Sequence, residues 1–325
     1  MKLAVTIDVE EEGLFTNSYD QHNHRVENVR FLLQLDRLFR HLDIRPTLLV
    51  TYPVIRHTGN RFLLERLRRD WNAEIGAHLH LWNTPPLRKL PGREPLPSQS
   101  IPQDVLEAKL YTLFTALREI DVVPTSFRMG RFNMGPRMFS LLQQTSIRVD
   151  SSVAPMRLKY GGPDHLAAAV DPYFADPSNP TIPGDSPILE APVTIVPVLP
   201  KLGYFLDSLR MRGTLPSHWI SWFAMYLGSV PAQPMWTGLS RLKAAAWLHR
   251  RRGGKVLVLF FHSSELMPGG CPEHPTAQHV ERFLTRLLAF LSWLREELAV
   301  ESLTLSELLP IYEHIRSTVE QEGKR

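Results

Sequence analysis

Short apolar runs alternate with amphipathic stretches along almost the whole chain, and that alternation restricts the folds open to it. Leu3–Ile7, Pro46–Thr51, Ala73–His78, Thr125–Arg128, Ser146–Val149, Val256–Phe261 and Val300–Leu305 read as strands, the run at 256–261 being the most apolar. Between them, residues 25–42 set Leu32, Leu35, Leu38, Phe39 and Leu42 at helical spacing, and Gln103–Ile120 does the same with Leu106, Leu110, Leu113, Phe114 and Leu117. Helices also read over Arg61–Trp71, near 136–144, at about 216–228 and 238–250, over Glu281–Glu297, and over Glu307–Ser317 with Ser306 as a cap. Strands followed by helices in this way predict an α/β fold with a mainly parallel sheet, open or closed as a barrel. No G-x-G-x-x-G or P-loop follows any strand, which removes a nucleotide-binding reading.

In such folds the chemistry gathers at the C-terminal ends of the strands. The first strand ends in Asp8-x-Glu10 and the third in His78-x-His80. Residues two apart on a strand point the same way, so each pair shares a side. Arg128 and Arg131 follow the fourth strand, Asp150-Ser151-Ser152 the fifth, and His262-Ser263-Ser264-Glu265 the apolar strand at 256–261. A strand-end Asp is commonly a turn residue and a lone His commonly a structural one. Carboxylates, paired imidazoles and an arginine at equivalent positions on different strands converge on one site. Two His and one carboxylate suit a hydrolytic metal with positions left for water.

These segments, in this order, resemble the NodB-like polysaccharide deacetylases, carbohydrate esterase family 4. Thr6-Ile7-Asp8-Val9-Glu10 is similar to the family's first motif, Glu74-Ile75-Gly76-Ala77-His78 to the second, and Ser126-Phe127-Arg128-Met129-Gly130-Arg131-Phe132 to the third. Val149-Asp150-Ser151-Ser152 resembles a fourth-motif variant of exopolysaccharide-cluster members, Leu259-Phe260-Phe261-His262 the fifth motif, and Thr304-Leu305-Ser306-Glu307-Leu308 the closing strand and helix. The resemblance runs from residue 3 to about 310. Val9 stands where the usual first motif has a second aspartate, and Trp82 where the usual second motif has its second histidine.

The resemblance implies a distorted (β/α) barrel of about seven strands, here one catalytic domain over residues 1–325 with an insertion at about 155–250. It implies hydrolysis of an N-acetyl group on an amino-sugar glycan, a polysaccharide or its lipid- or nucleotide-linked precursor. One divalent metal, zinc by preference, would be held by Glu10, His78 and His80. Asp8 would be the base, oriented by Arg128, and His262 the acid, oriented by Asp150. Arg131 and Ser152 would contact substrate, with Trp82 and Glu265 beside them. Two alternatives stand next to this reading: a metal amidase acting on cyclic imides or ureides with the same fold, and a carbohydrate-binding relative without activity, which the Val9 and Trp82 departures motivate.

The totals set outer bounds. Apolar residues make up 43% and charged residues 22%, which excludes a disordered polyelectrolyte. A net charge of +4, spread along the chain, gives no nucleic-acid footprint, and Arg250-Arg251-Arg252 reads as cations at a helix C-terminus. Cys271 is the single cysteine, so no internal disulfide forms, and its Gly-Gly-Cys-Pro setting reads as an inert loop thiol. No run of about 20 apolar residues is present to span a bilayer. Acidic residues follow Met1 too closely for a signal peptide, so the expected compartment is the cytoplasm. The segments at 216–228 and 238–250 read as amphipathic core helices or as surfaces approaching a membrane or partner.

Prolines are uneven: six of the 27 lie in residues 81–102 and ten in 151–200. Both stretches leave strand ends that carry candidate site residues. They are expected to be long stiffened loops that together form the substrate groove. Ile188–Val193 within the second reads as a further strand.

Overall fold

The computed structural model of the chain describes residues 1–17, 19–158 and 164–322; residues 159–163 of the second Pro-dense stretch lie outside them. Eleven strands form among the described residues: β1 (Lys2–Val9), β2 (Thr47–Val50), β3 (Glu74–Leu79), β4 (Ser126–Met129), β5 (Val149–Asp150), β6 (Tyr173–Phe174), β7 (Leu189–Glu190), β8 (Ile195–Pro197), β9 (Ser229–Pro231), β10 (Val256–His262) and β11 (Glu301–Ser302). The main sheet runs β10-β1-β2-β3-β4-β5-β7-β6, with β11 beside the start of β1. The seven strands from β10 to β7 are mutually parallel, β6 is an antiparallel edge, and β8 pairs only with β9. This is a curled, mainly parallel α/β sheet as the alternation predicts, and the distorted (β/α) barrel that the resemblance implies.

The gap between the β7–β6 edge and β10 is bridged at Thr194 and at Asp171, whose carboxylate accepts the Lys255 and Val256 N–H groups. Thr194 donates its backbone N–H to the Val258 carbonyl at 2.9 Å, and its hydroxyl accepts from the Val258 N–H at 2.8 Å. A side-chain oxygen thus stands in for a ladder carbonyl.

The strands are apolar on both sides because both sides are covered. Leu3, Val5, Ile7 and Val9 of β1 pack outward with Leu48, Val50, Leu257 and Leu259 beneath the helices. Ala4, Leu49, Val149, Val258 and Phe260 pack inward in a second cluster. Each such side chain taken from water contributes about 1.5–3 kcal/mol. Toward the C-terminal ends the inward positions change character, to Thr6 and Asp8 on β1, His78 on β3, Arg128 on β4 and His262 on β10. Gly76 belongs to the same inward set: a Cβ there would lie 2.4 Å from the Ser126 hydroxyl, so the narrow lumen excludes any larger residue.

The helices are α1 (Asp36–Leu42), α2 (Tyr52–Arg56), α3 (Thr58–Asp70), α4 (Gln103–Arg118), α5 (Pro136–Leu142), α6 (Leu202–Met211), α7 (Ser217–Tyr226), α8 (Leu239–Arg251), α9 (Ala277–Leu298) and α10 (Leu309–Glu322). The long amphipathic α9 buries Phe283, Leu287, Phe290, Leu291 and Leu294 on one stripe. Arg250 and Arg251 fall in the last turn of α8, as expected of cations at a helix C-terminus. Several local expectations are corrected. Glu27–Leu35 is 3-10 rather than α-helix. The last strand shortens to β11. Ser306 caps nothing; its hydroxyl donates to Glu74 at 2.5 Å, and Thr304 donates to Glu307 instead. The helix α6 lies in a segment given no element in the sequence reading. No helix among the described residues is long and apolar enough to cross a membrane.

Candidate active site

The expected strand-end residues meet at the floor of a cavity of about 720 Å³. Its wall includes Asp8, Glu10, His78, His80, Trp82, Arg131 and His262, the first five of them buried. Glu10 Oε2 lies 3.3 Å from His78 Nε2 and 3.2 Å from His80 Nε2. Asp8 Oδ2 lies 3.8 Å from both His78 Nε2 and His262 Nε2.

Each imidazole is held from behind. His78 Nδ1 donates to the Arg128 carbonyl at 2.9 Å. His80 Nδ1 donates to Glu11 Oε1 at 2.9 Å, and Trp82 Nε1 donates to the same oxygen at 2.9 Å. The Trp82 ring stacks on His80 at 4.2 Å between centroids. Gly130 leaves room for this arrangement: a Cβ there would stand 2.5 Å from His80 Cδ2. His262 Nδ1 donates to Glu265 Oε1 at 2.7 Å, and that oxygen also accepts the His262 backbone N–H at 3.0 Å. Asn28, buried behind the strands, donates to the Glu10 carbonyl and to the Ser263 hydroxyl, tying β1 to the end of β10.

Arg128 is fully buried, with every guanidinium nitrogen engaged. Nη1 donates to Asp8 Oδ1 at 2.5 Å, Nη2 to the Thr6 and Ser151 hydroxyls, and Nε to the Ser151 carbonyl. A buried arginine on this many acceptors holds one orientation of the Asp8 carboxylate, leaving Oδ2 toward the imidazoles.

Burial opposes charge on these groups, and their mutual attraction overrides it. Burial would raise the Glu10 carboxyl, but His262, His78 and His80 hold it far below the usual carboxylate range. Burial would lower His80, but Glu11 and Glu10 raise it to about 10. His262 is raised to about 9, against burial, by Glu10, Glu265 and Asp8. Such mutual stabilisation marks functional sites more often than structural ones.

Other expected site residues sit elsewhere. Asp150 does not reach His262, whose Nδ1 belongs to Glu265. Its carboxylate accepts from the Ser152 hydroxyl at 2.6 Å and stands beside Glu190, its register partner on β7. Ser152 accepts the Met129 N–H and is fully buried, away from the cavity wall. Asp150 and Glu190 form a buried carboxyl pair: burial pushes Asp150 up to about 6, and burial with the Asp150 charge pushes Glu190 well above its ordinary value. Cys271 is buried and its thiol is pushed up to about 12, chiefly by burial, so it is not a nucleophile.

The two Pro-dense stretches differ. From the first, only Trp82 reaches the cavity; the buried Lys109 ammonium holds the rest down through the Thr84 and Pro86 carbonyls. The second contributes Ala154, Arg157, Val193 and Ile195 to the wall. The second stretch therefore supplies more of the cavity wall than the first. Glu11 and Asn28 carry site geometry without any sequence reading having singled them out. Three consecutive carboxylates after a strand were the available signal.

No family model matches the sequence, and no curated protein matches it. Solved structures do resemble the fold. A polysaccharide deacetylase candidate from Mycobacterium smegmatis superposes with a TM-score of 0.55 at 18% identity, over 98% of this chain and 91% of that one. A glycoside hydrolase/deacetylase candidate from Parabacteroides distasonis gives 0.64 at 11% identity, over 96% and 71%. A 4-alpha-glucanotransferase from Thermococcus litoralis gives 0.52 at 12% identity, over 95% of this chain and 38% of that longer one. At these identities the likeness is one of fold: the chain carries the distorted (β/α) barrel that these carbohydrate-active proteins share.

Proposed function

We propose that the chain is a metal-dependent N-deacetylase of the NodB-like type, acting on an amino-sugar glycan. The observation that carries this is the convergence of Glu10, His78 and His80 beside the Arg128-held Asp8 and the Glu265-held His262, all on one cavity floor. The fold likeness to deacetylase candidates supports it.

The donor set fits a divalent cation. One oxygen and two imidazole nitrogens lie within 4.8 Å of one another, buried. Nδ1 of each imidazole is taken, by the Arg128 carbonyl for His78 and by Glu11 for His80, so each has Nε2 toward Glu10, and a cation there would displace the proton that Glu11 and Glu10 favour on His80. Two His and one carboxylate suit zinc. When bound, the ion would polarise the acetyl carbonyl and acidify water.

The chain's own groups supply the remaining work. Asp8 Oδ2 takes the proton of the attacking water, its other oxygen being occupied by Arg128. His262, held protonated by its carboxylate neighbours, presents Nε2 and gives its proton to the departing amine. Phe15 and Trp236 in the wall offer rings to a sugar, and a cavity of this size accommodates a short glycan. Acetate release from a panel of soluble and lipid-linked N-acetylated oligosaccharides, with chelated and zinc-restored protein, tests the reading. Zinc-dependent release supports it. Cleavage of hydantoins or allantoin without acetate release would replace it with the cyclic-amidase alternative.

A further inference from the structure

We propose that α6 and α7 form a face that docks on the surface of an anionic lipid bilayer. Fourteen of the 21 exposed large hydrophobic side chains among the described residues fall between 198 and 247. The helix α7 buries only Ile220 and Ala224, while Trp219 is 58% exposed, Trp222 48% and Tyr226 59%. The rings run along it in a chain, Trp219 to Trp222 at 6.5 Å and Trp222 to Tyr226 at 6.0 Å. The adjoining α6 packs against α7 and adds Tyr204, Phe205 and Met211, all exposed. For contrast, the 22-residue α9 leaves only Leu288 among the large exposed hydrophobics. Exposed apolar surface of this density marks a binding face rather than ordinary solvent contact.

The charge pattern selects the occupant. From Lys201 to Tyr226, across α6 and α7, the charged residues are Lys201, Arg210, Arg212 and one acid, Asp207. Asp207, the one acid of α6, and Asp164 beside it are both held by Arg210, at 2.7 and 2.6 Å. Arg212 and Lys201, at the two ends of α6, are exposed. Two copies meeting through this face would bring Lys201 and Arg212 of each together, while the α6 carboxylate Asp207 is already held by Arg210. A bilayer carrying anionic headgroups answers both features at once. Trp and Tyr settle at headgroup depth, Leu, Met and Phe enter the acyl boundary, and Arg and Lys meet the phosphates.

The face adjoins the cavity: Met225 and Tyr226 of α7 line its wall. Docking would therefore hold the cavity mouth against the lipid surface, where a glycan carried on a lipid would be presented. The docking itself is independent of the chemistry proposed above.

The test uses the full chain and flotation with two vesicle types, phosphatidylcholine alone and an equal mixture of phosphatidylcholine and phosphatidylglycerol. Binding to the anionic vesicles, weakened by salt, is expected. The double variant Trp219→Ser/Trp222→Ser should lose it by about tenfold or more, and Arg212→Glu should weaken it, with thermal unfolding unchanged in both. Acetate release from a soluble oligosaccharide, where the chain shows it, should be unaffected, which separates loss of docking from loss of activity. Failure to bind anionic vesicles overturns the proposal. So does binding that the Trp219/Trp222 variant leaves unchanged, or a dimer in sedimentation that the same variant abolishes.

Discussion

Glu11 Oε1 lies 2.9 Å from His80 Nδ1, inside the protein, and this one buried oxygen also accepts the Trp82 indole N–H. Trp82 thus shares the acceptor that orients the imidazole proposed as the third ligand. Glu11→Gln should lower zinc affinity about 10–100-fold, read by isothermal titration, because a neutral amide no longer secures the tautomer. An unchanged affinity would remove His80 from the ligand set.

Asp8→Asn separates binding from chemistry. Bound zinc, by elemental analysis, should remain at the parent level, since Glu10, His78 and His80 are intact. Turnover should fall by about 10²–10⁴-fold. Activity surviving at the parent rate would place the base elsewhere.

His262 gives a pH signature. Burial works to lower it, while Glu10, then Glu265 and Asp8, raise it to about 9. As the proton donor it acts below that value, so kcat/KM should decline as pH rises through it. Glu265→Gln removes the hydrogen-bonded charge behind Nδ1, and the alkaline limb of the profile should move to lower pH. A limb that stays in place would assign it to another group.

The buried pair Asp150 and Glu190 predicts a stability trend of its own. Both folded-state values lie above the ordinary carboxylate range, burial being the main cause. Their contribution is therefore fully present below about pH 4 and is lost as pH rises through about 6 and beyond. Glu190→Gln removes one ionisable partner. Its melting temperature should gain on the parent's as pH rises, by about 2–4 °C for each kcal/mol relieved. A gap independent of pH would show that the pair does not titrate between the folded and unfolded states.

The strands were legible because a sheet covered on both sides demands continuous apolar runs, and β1, β3, β4 and β10 lie within about two residues of where those runs stop. The site was legible for the same reason. Asp8, His78, Arg128 and His262 are inward-facing positions at the ends of otherwise apolar strands, where a polar residue has no place unless others answer it. What answered them was harder to see. Glu11 lies where β1 has already left the pleat, so alternation says nothing of its direction. Glu190 meets Asp150 across forty residues of sequence, a distance no local pattern spans. The helix α6 escaped notice because Tyr204 and Phe205, both exposed, blur the stripe that would have announced it. The first Pro-dense stretch looked like a groove wall because it follows His80, but its anchor, Lys109, is on a helix whose buried face otherwise reads as apolar.

Thr194 closes the wheel of strands with two hydrogen bonds where neighbouring strands share longer ladders. The same seam is held at the start of β10 by the Asp171 carboxylate, which accepts the Lys255 and Val256 N–H groups, so it carries fewer hydrogen bonds than the ladders elsewhere and is the place of lowest local pairing. All of β8, β9, α6, α7 and α8 hang on the chain between Thr194 and Val258. The wall carrying Ile195, Met225 and Tyr226 thus meets the parallel sheet through few backbone hydrogen bonds, whereas the floor bearing Asp8 and the imidazoles stands on full parallel ladders.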